Sequence, residues 1–139
     1  VFTNYATIAE ENEKGFTAQN QVGRSIKTDK TLLKQLMTIL FDNAIKYTED
    51  DGQVTLTVRT NDRHLYITVA DNGPGIADED KKKIFDRFYR VDKDRTRQKG
   101  GFGLGLSLAQ QIVLALKGTI IVKDNQPKGT IFEVKITGV

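Results

Sequence analysis

The sequence predicts an α/β (α+β) fold, a two-layer sandwich with helices on one face of a mixed, mostly antiparallel sheet. Two stretches, from Lys30 to about Tyr47 and from Leu104 to Leu116, carry apolar residues at the three- and four-residue spacing of amphipathic helices. Shorter stretches around Val54, Leu65, Ile120 and Phe132 alternate apolar and polar residues, as half-buried strands do. The order helix, strands, helix, hairpin, loop, helix, hairpin then leaves the helices one sheet face to cover.

Residues 3–14 read as a short helix ending at Gly15, where glycine suits a left-handed cap. Phe16, Ala18, Val22 and Ile26 alternate loosely and predict two short strands within 16–28. Asp29 is placed to cap the long helix that starts at Lys30. Val54, Leu56 and Val58 form one strand and Leu65, Ile67 and Val69 the next, with a turn at Asn61-Asp62. From Asn72 to Gly103 the pattern is irregular apart from a short helix around 78–88, and so long a connection is either a functional loop or a sign of misassigned elements. Lys117-Gly118 stops the last helix, and a final strand pair flanks a turn over Asn125–Gly129.

The chain has 139 residues, enough for a single domain spanning 1–139 with a real core. Its 38% hydrophobic and 28% charged residues exclude disorder as the dominant state. Twenty-one Lys and Arg against 18 Asp and Glu leave +3, too weak a charge to argue for nucleic acid. The absence of cysteine excludes a disulfide scaffold, a thiolate metal site and a cysteine nucleophile, and a single histidine excludes a histidine-rich metal site. No apolar run has the roughly 18–20 residues of a membrane span. Val1 is not followed by a basic-then-apolar leader, so no signal peptide is expected, and the missing initiator methionine suggests a piece of something longer.

Three polar features sit where apolar ones are expected. In the helix 30–47, Leu32, Leu33, Leu36, Ile39, Leu40, Ala44 and Tyr47 form an apolar arc, and Asn43 falls inside it. A buried amide costs on the order of 1–3 kcal/mol unless partnered. It is either a core asparagine bonded to backbone or an oxygen ligand facing a site, of the kind Mg²⁺ takes beside substrate phosphates. Lys46 and Tyr47 lie one turn on, where a lysine could reach phosphate and a tyrosine could stack on a base. In the strand from Leu65, the inward parity ends on Asp71. That carboxylate either caps the turn Asn72-Gly73-Pro74-Gly75 or accepts the exocyclic amino group of a base, selecting adenine over guanine. Finally, Gly100-Gly101-Phe102-Gly103-Leu104-Gly105-Leu106 opens a helix, where free N–H groups can meet an anion. It fits neither the P-loop nor the dinucleotide fingerprint. Before it stand Arg87, Arg90, Lys93, Arg95, Arg97 and Lys99 among Asp86, Asp92 and Asp94, either a solvated loop or a mobile lid over about 91–101. Together these features are the parts of a pocket for ATP and Mg²⁺.

At these residues the sequence resembles the catalytic, ATP-binding domain of bacterial sensor histidine kinases, over about residues 29–137. Asn43-Ala44-Ile45-Lys46-Tyr47-Thr48 matches the asparagine box and Asp71-Asn72-Gly73-Pro74-Gly75-Ile76 the first glycine box. Ile84–Arg90 matches the phenylalanine box, Gly101–Leu106 the second glycine box, and Gly129-Thr130-Ile131-Phe132 also fits. The resemblance implies a Bergerat-type ATP-binding fold and a reaction that moves the γ-phosphoryl of ATP to a histidine in two-component signalling. It implies that Asn43 binds Mg²⁺, Lys46 contacts phosphate, Tyr47 lies against adenine and Asp71 takes its amino group. Gly73, Gly75, Ile76 and Thr130 would complete the base pocket. Gly101, Gly103, Leu104, Gly105 and Leu106 would wrap the phosphates, with Arg90 and Arg95 as cations of the lid and Phe85 and Phe88 either at its base or plain core.

The implied partners are the histidine-bearing dimerisation domain of the same kinase and a downstream response regulator, with no nucleic acid and no membrane contact by this domain. The implied location is the cytoplasmic part of a membrane-anchored sensor. The sequence departs from the family at Ile39, where a second asparagine is usual and where the wider ATPase superfamily keeps a glutamate base, and at Phe102, where a small or polar residue is common. The phosphoacceptor motif is absent: His64, the one histidine, follows a turn and faces away from Asp71 by strand parity. The alternatives are a superfamily ATPase, a serine kinase of the anti-sigma type, or a regulatory domain that only binds nucleotide.

Overall fold

A computed structural model describes residues 7, 9–11, 14–23, 27–48, 52–61, 63–86 and 105–137. Five strands form one sheet in the order β1-β2-β3-β5-β4: β1 Gly15–Gln21, β2 Gln53–Thr60, β3 His64–Asp71, β4 Gly118–Asp124 and β5 Thr130–Thr137. β1 pairs with β2 in parallel and every other pairing is antiparallel, so the sheet is mixed. A parallel neighbour needs a crossover, and helix α1, Lys30–Tyr47, provides it. A one-turn helix α2, Asp78–Lys81, follows β3, and α3, Gly105–Ala115, precedes β4.

The inner sheet face carries Val54, Leu56, Leu65, Ile67, Val69, Phe132, Val134 and Ile136, all buried, and α1 and α3 close it with Leu36, Leu40, Phe41, Ala109, Ile112 and Val113. Each such side chain contributes about 1.5–3 kcal/mol relative to leaving it in water. Asp29 caps α1 by accepting the Leu32 N–H at 3.0 Å. Its other end receives the Lys14 ammonium on the Ile45 carbonyl, a cation where the helix dipole favours one. Lys81 bridges Asp78 at 2.5 Å and Asp124 at 2.8 Å, which fastens α2 to the end of β4.

Three expectations are corrected. Gly15 does not cap a helix: residues 7 and 9–11 are helical, and Gly15 opens β1. Among the described residues one strand, Gly15–Gln21, stands where two were expected, and 24–26 lie outside them. It is an edge strand, exposed along most of its length, so only Phe16 is under pressure to be apolar. The helix expected over 78–88 closes at Lys81 and continues as turns to Phe85.

Candidate functional site

The end of β3 and the start of β5 build one cradle. Asp71 pairs with Val54 in register and follows Val69 on the inner face, so its carboxylate points at the core and is 7% exposed. One oxygen, Oδ1, accepts the N–H of Gly73 at 2.9 Å and the N–H of Thr130 at 3.2 Å. No described donor bonds Oδ2, which leaves it as an acceptor open to a ligand. Burial holds the Asp71 carboxyl above its ordinary range, and the two N–H groups offset part of that shift.

The backbone around Asp71 is fixed just as closely. Asn125 donates its amide to the Asp71 carbonyl at 2.8 Å, and the Asn125 N–H meets the Gly129 carbonyl at 3.0 Å. Asn72 turns back to accept the Gln53 N–H at 2.8 Å. Gly129 has φ +114°, and a Cβ there would stand 2.7 Å from the Asp71 carbonyl carbon and 2.8 Å from Asn72 Cα. Gly75 has φ +83° and packs under the Gly129 carbonyl, a position open only to glycine at low cost. Gly73, Gly75 and Thr130 are thus gathered around Asp71, and Ile76 packs half-buried against the core beside them.

The last turn of α1 lies at the same end of the sheet, because a short link from Tyr47 leads into β2, whose first residues pair beside Asp71. Its buried stripe is Leu36, Met37, Leu40, Phe41, Ala44 and Ile45. This corrects the expected arc: Met37, Phe41 and Ile45 turn the buried side away from Asn43, which lies about 110° from the stripe's centre at 100° per residue. Asn43 is half-buried, and its amide bonds no described residue. The alternative of a core amide satisfied by nearby backbone therefore finds no support.

Lys46 pairs with Asp42 at 3.1 Å on the partly exposed side of the helix. Tyr47 ends α1, and the buried Thr48 hydroxyl after it has no partner among the described residues. Ile39 lies one turn before Asn43, and a Cβ at Gly105 would stand 3.7 Å from it, so the start of α3 meets α1 there. Leu106 packs partly buried against the core. Arg90, Arg95, Gly101, Gly103 and Leu104, with the expected lid over 91–101, lie outside the described residues. Phe85 packs edge-on against Phe132 at 6.2 Å and is part of the core margin.

Asn125 and Asn72 were not singled out by sequence reasoning. Their contacts span 54 and 19 residues, and the sequence carried only the local turn signals around each of them. The fit to Mg²⁺ rests on the Asn43 carboxamide, a neutral oxygen donor with no described partner near the end of α1. Among the described residues no cluster of three or more His, Cys, Asp or Glu could hold a metal by itself, so phosphate oxygens would have to supply the remaining ligands.

The inward Asp71 carboxylate, set in a glycine-lined backbone cradle, sits on the sheet and helices of an ATPase-type domain. Residues 28–138 match the histidine kinase-, DNA gyrase B- and HSP90-like ATPase family, and the chain belongs to it. Over 97% of its length the chain is 70% identical to the sensor protein CiaH of Streptococcus pneumoniae, covering 30% of that protein. Over 78% of its length it is 44% identical to the histidine-protein kinase ArlS of Staphylococcus aureus, covering 24% of it. The chain therefore spans less than a third of these relatives.

Among solved structures it superposes on the mycobacterial sensor histidine kinase MprB with a TM-score of 0.76 and 26% identity, over 99% of this chain and 95% of that one. Full-length ShkA in complex with AMPPNP gives 0.80 at 26% identity, over 99% of this chain and 29% of that one. The expected fold is that of histidine kinase catalytic domains. No described helix is long and apolar enough to cross a membrane.

Proposed function

We propose that this chain is the module that binds ATP with Mg²⁺ and presents the γ-phosphoryl group to a histidine on a separate domain of the same kinase. The observation that carries the reading is the free Oδ2 of an inward, backbone-anchored Asp71. An ionised carboxylate there accepts the adenine amino group and opposes the guanine carbonyl. Asn43 would hold Mg²⁺, which supplies neutralisation of phosphate charge when bound. Lys46 would leave Asp42 for the phosphates, Tyr47 would lie against the base, and Gly101, Gly103, Leu104, Gly105 and Leu106 would wrap the phosphates. Arg90 and Arg95, in a lid over about 91–101, would add charge as the bridging P–O bond breaks and the imidazole nitrogen takes the phosphoryl group.

Two observations favour transfer over hydrolysis. Ile39 stands beside the start of α3 with an aliphatic side chain, which cannot activate water. His64, the single histidine, lies on the outer sheet face next to Tyr66, away from Asp71. The acceptor must therefore come from elsewhere. A groove of about 610 Å³ between α1 and α3, lined by Lys34, Gln35, Thr38, Ile39 and the exposed Leu108, gives a histidine-bearing helix a place to dock. The downstream receiver would be a response regulator, and the whole protein a membrane-anchored sensor with this domain in the cytoplasm.

The test mixes the chain with γ-labelled ATP, with and without its histidine-bearing domain. Acid-labile label on the added domain, none on this chain, and very slow phosphate release by the chain alone are expected. Labelling of His64, or turnover typical of a dedicated ATPase, would overturn the proposal.

A further inference from the structure

The sheet's other face points to a second interaction surface. α1 and α3 pack on the inner face, and no described helix covers the outer one. Register places Gln21, Arg59, Tyr66, Lys135 and Thr119 in one row across all five strands. At about 4.8 Å between strands, Arg59 and Lys135 flank Tyr66 about 10 Å apart. The Arg59 guanidinium lies over the Tyr66 ring, 4.0 Å from its centroid. His64, two residues before Tyr66 on the same face, has its ring 5.8 Å from the tyrosine's, and Arg63 is exposed beside it. The strands' outer face carries one carboxylate, Glu133 in the next row, and Lys123 already holds it at 3.1 Å.

We propose that this corner of the outer face, centred on Arg59, Tyr66 and Lys135, docks an acidic segment of a protein partner. Three features select that occupant. The patch is cationic among the described residues, with its one neighbouring carboxylate engaged. The Arg59 guanidinium already lies over the Tyr66 ring before a partner arrives, and arginine and tyrosine are the residues that anchor protein interfaces. Toward β1 the face carries Thr17, Gln19, Thr55, Thr57 and Thr68, uncharged and able to hydrogen-bond, while Ile121, Ile131 and the Lys123–Glu133 pair lie toward β4. A membrane surface draws a protein in proportion to the number of its cations, and three permanent charges at one corner suit a peptide carboxylate pair better than a lipid plane.

His64 reports on this patch without labelling, because its ring resonances are the only histidine signals of the chain. Burial, Lys135 and Arg63 hold its pKa below the usual histidine range, and an acidic occupant would push it back up. The experiment titrates His64 by NMR alone, with a ten-residue peptide of alternating Asp and Glu, and with vesicles of mixed neutral and anionic phospholipid. The expected result is saturable peptide binding with an upward shift of the His64 pKa. Arg59→Lys keeps the charge but loses the guanidinium over the ring, and should weaken binding about tenfold; Lys135→Gln should weaken it too. No peptide response, a response of equal strength in Arg59→Lys, or a response to vesicles alone would each overturn the proposal.

Discussion

The two ends of the proposed nucleotide site differ in how they are made. Around Asp71, every contact is a backbone or amide hydrogen bond already formed: Gly73 and Thr130 on the carboxylate, Asn125 on the carbonyl, Asn72 on β2. Along the last turns of α1, Asn43 has no described partner, and Lys46 holds only the local Asp42. On the proposed reading the base end is built by folding, whereas the phosphate end is left for the ligand to complete. Pre-formed donors and acceptors cost little to organise at binding, which suits the part that discriminates between bases. Side chains that must follow a charge leaving with the transferred group are better left loosely held.

The largest way to break this contrast is Gly129→Ala. The added methyl has no room against Asp71 and Asn72 and imposes φ +114° on alanine, so both the turn and the Thr130 contact should be lost. A loss of about 3 kcal/mol is expected, read as a drop in the urea midpoint, together with loss of ATP binding. Gly75→Ala, with a looser 3.4 Å contact, should cost about half as much by the penalty for a left-handed residue.

Asp71→Asn separates ligand from fold. The asparagine oxygen can accept from both Gly73 and Thr130, so the apo midpoint should hold or rise, while ATP affinity should fall roughly tenfold to a hundredfold in calorimetry. The wild type should also show preference for ATP over GTP; equal affinities would refute the base assignment. The pH dependence has a definite sign. With the Asp71 pKa raised from its ordinary 3.8, the folded state binds more protons than the unfolded one above that value. Stability should therefore fall as pH rises from about 3.8 through the raised pKa, and Asp71→Asn should remove that part of the slope.

Asp71 was legible in the sequence for a simple reason: a strand's period of two places the fourth inward position of Leu65–Asp71 without any tertiary information. Asn43 was found through a helical arc drawn without Met37, Phe41 and Ile45. The anomaly singled out a candidate site residue, which is half-buried and lies beside the buried stripe, not inside it. The contacts of Asn125, Gly129 and Thr130 depend on which strands become neighbours, and no local pattern contains that. β1 was misread because an exposed edge strand is under little selection for alternation.

Asn43→Ala probes the phosphate end directly. With no described partner to lose, the apo thermal midpoint should scarcely move, while the gain in ATP affinity on adding Mg²⁺ should shrink by on the order of tenfold. A large apo destabilisation would place Asn43 among the groups folding requires and erase the contrast between the two ends.

The smallest effect belongs to Asp42→Asn. Asp42 and Lys46 are one turn apart with the acid on the N-terminal side, the favourable orientation for a helix pair, and both are substantially exposed. Such a pair is worth only about 0.3–0.5 kcal/mol, so the apo midpoint should move by a degree or two at most. Its importance lies in competition: Lys46 cannot hold Asp42 and a phosphate equally well. Releasing it should raise affinity for ATP by a few-fold and leave affinity for adenosine unchanged, because adenosine has no phosphate for the lysine to reach. Added salt should shrink the difference between the variant and the wild type, since both the pair and its rival are screened. Equal gains for ATP and adenosine would instead show that Asp42 acts through the shape of the helix end. No gain for either would mean that Lys46 does not reach the phosphates.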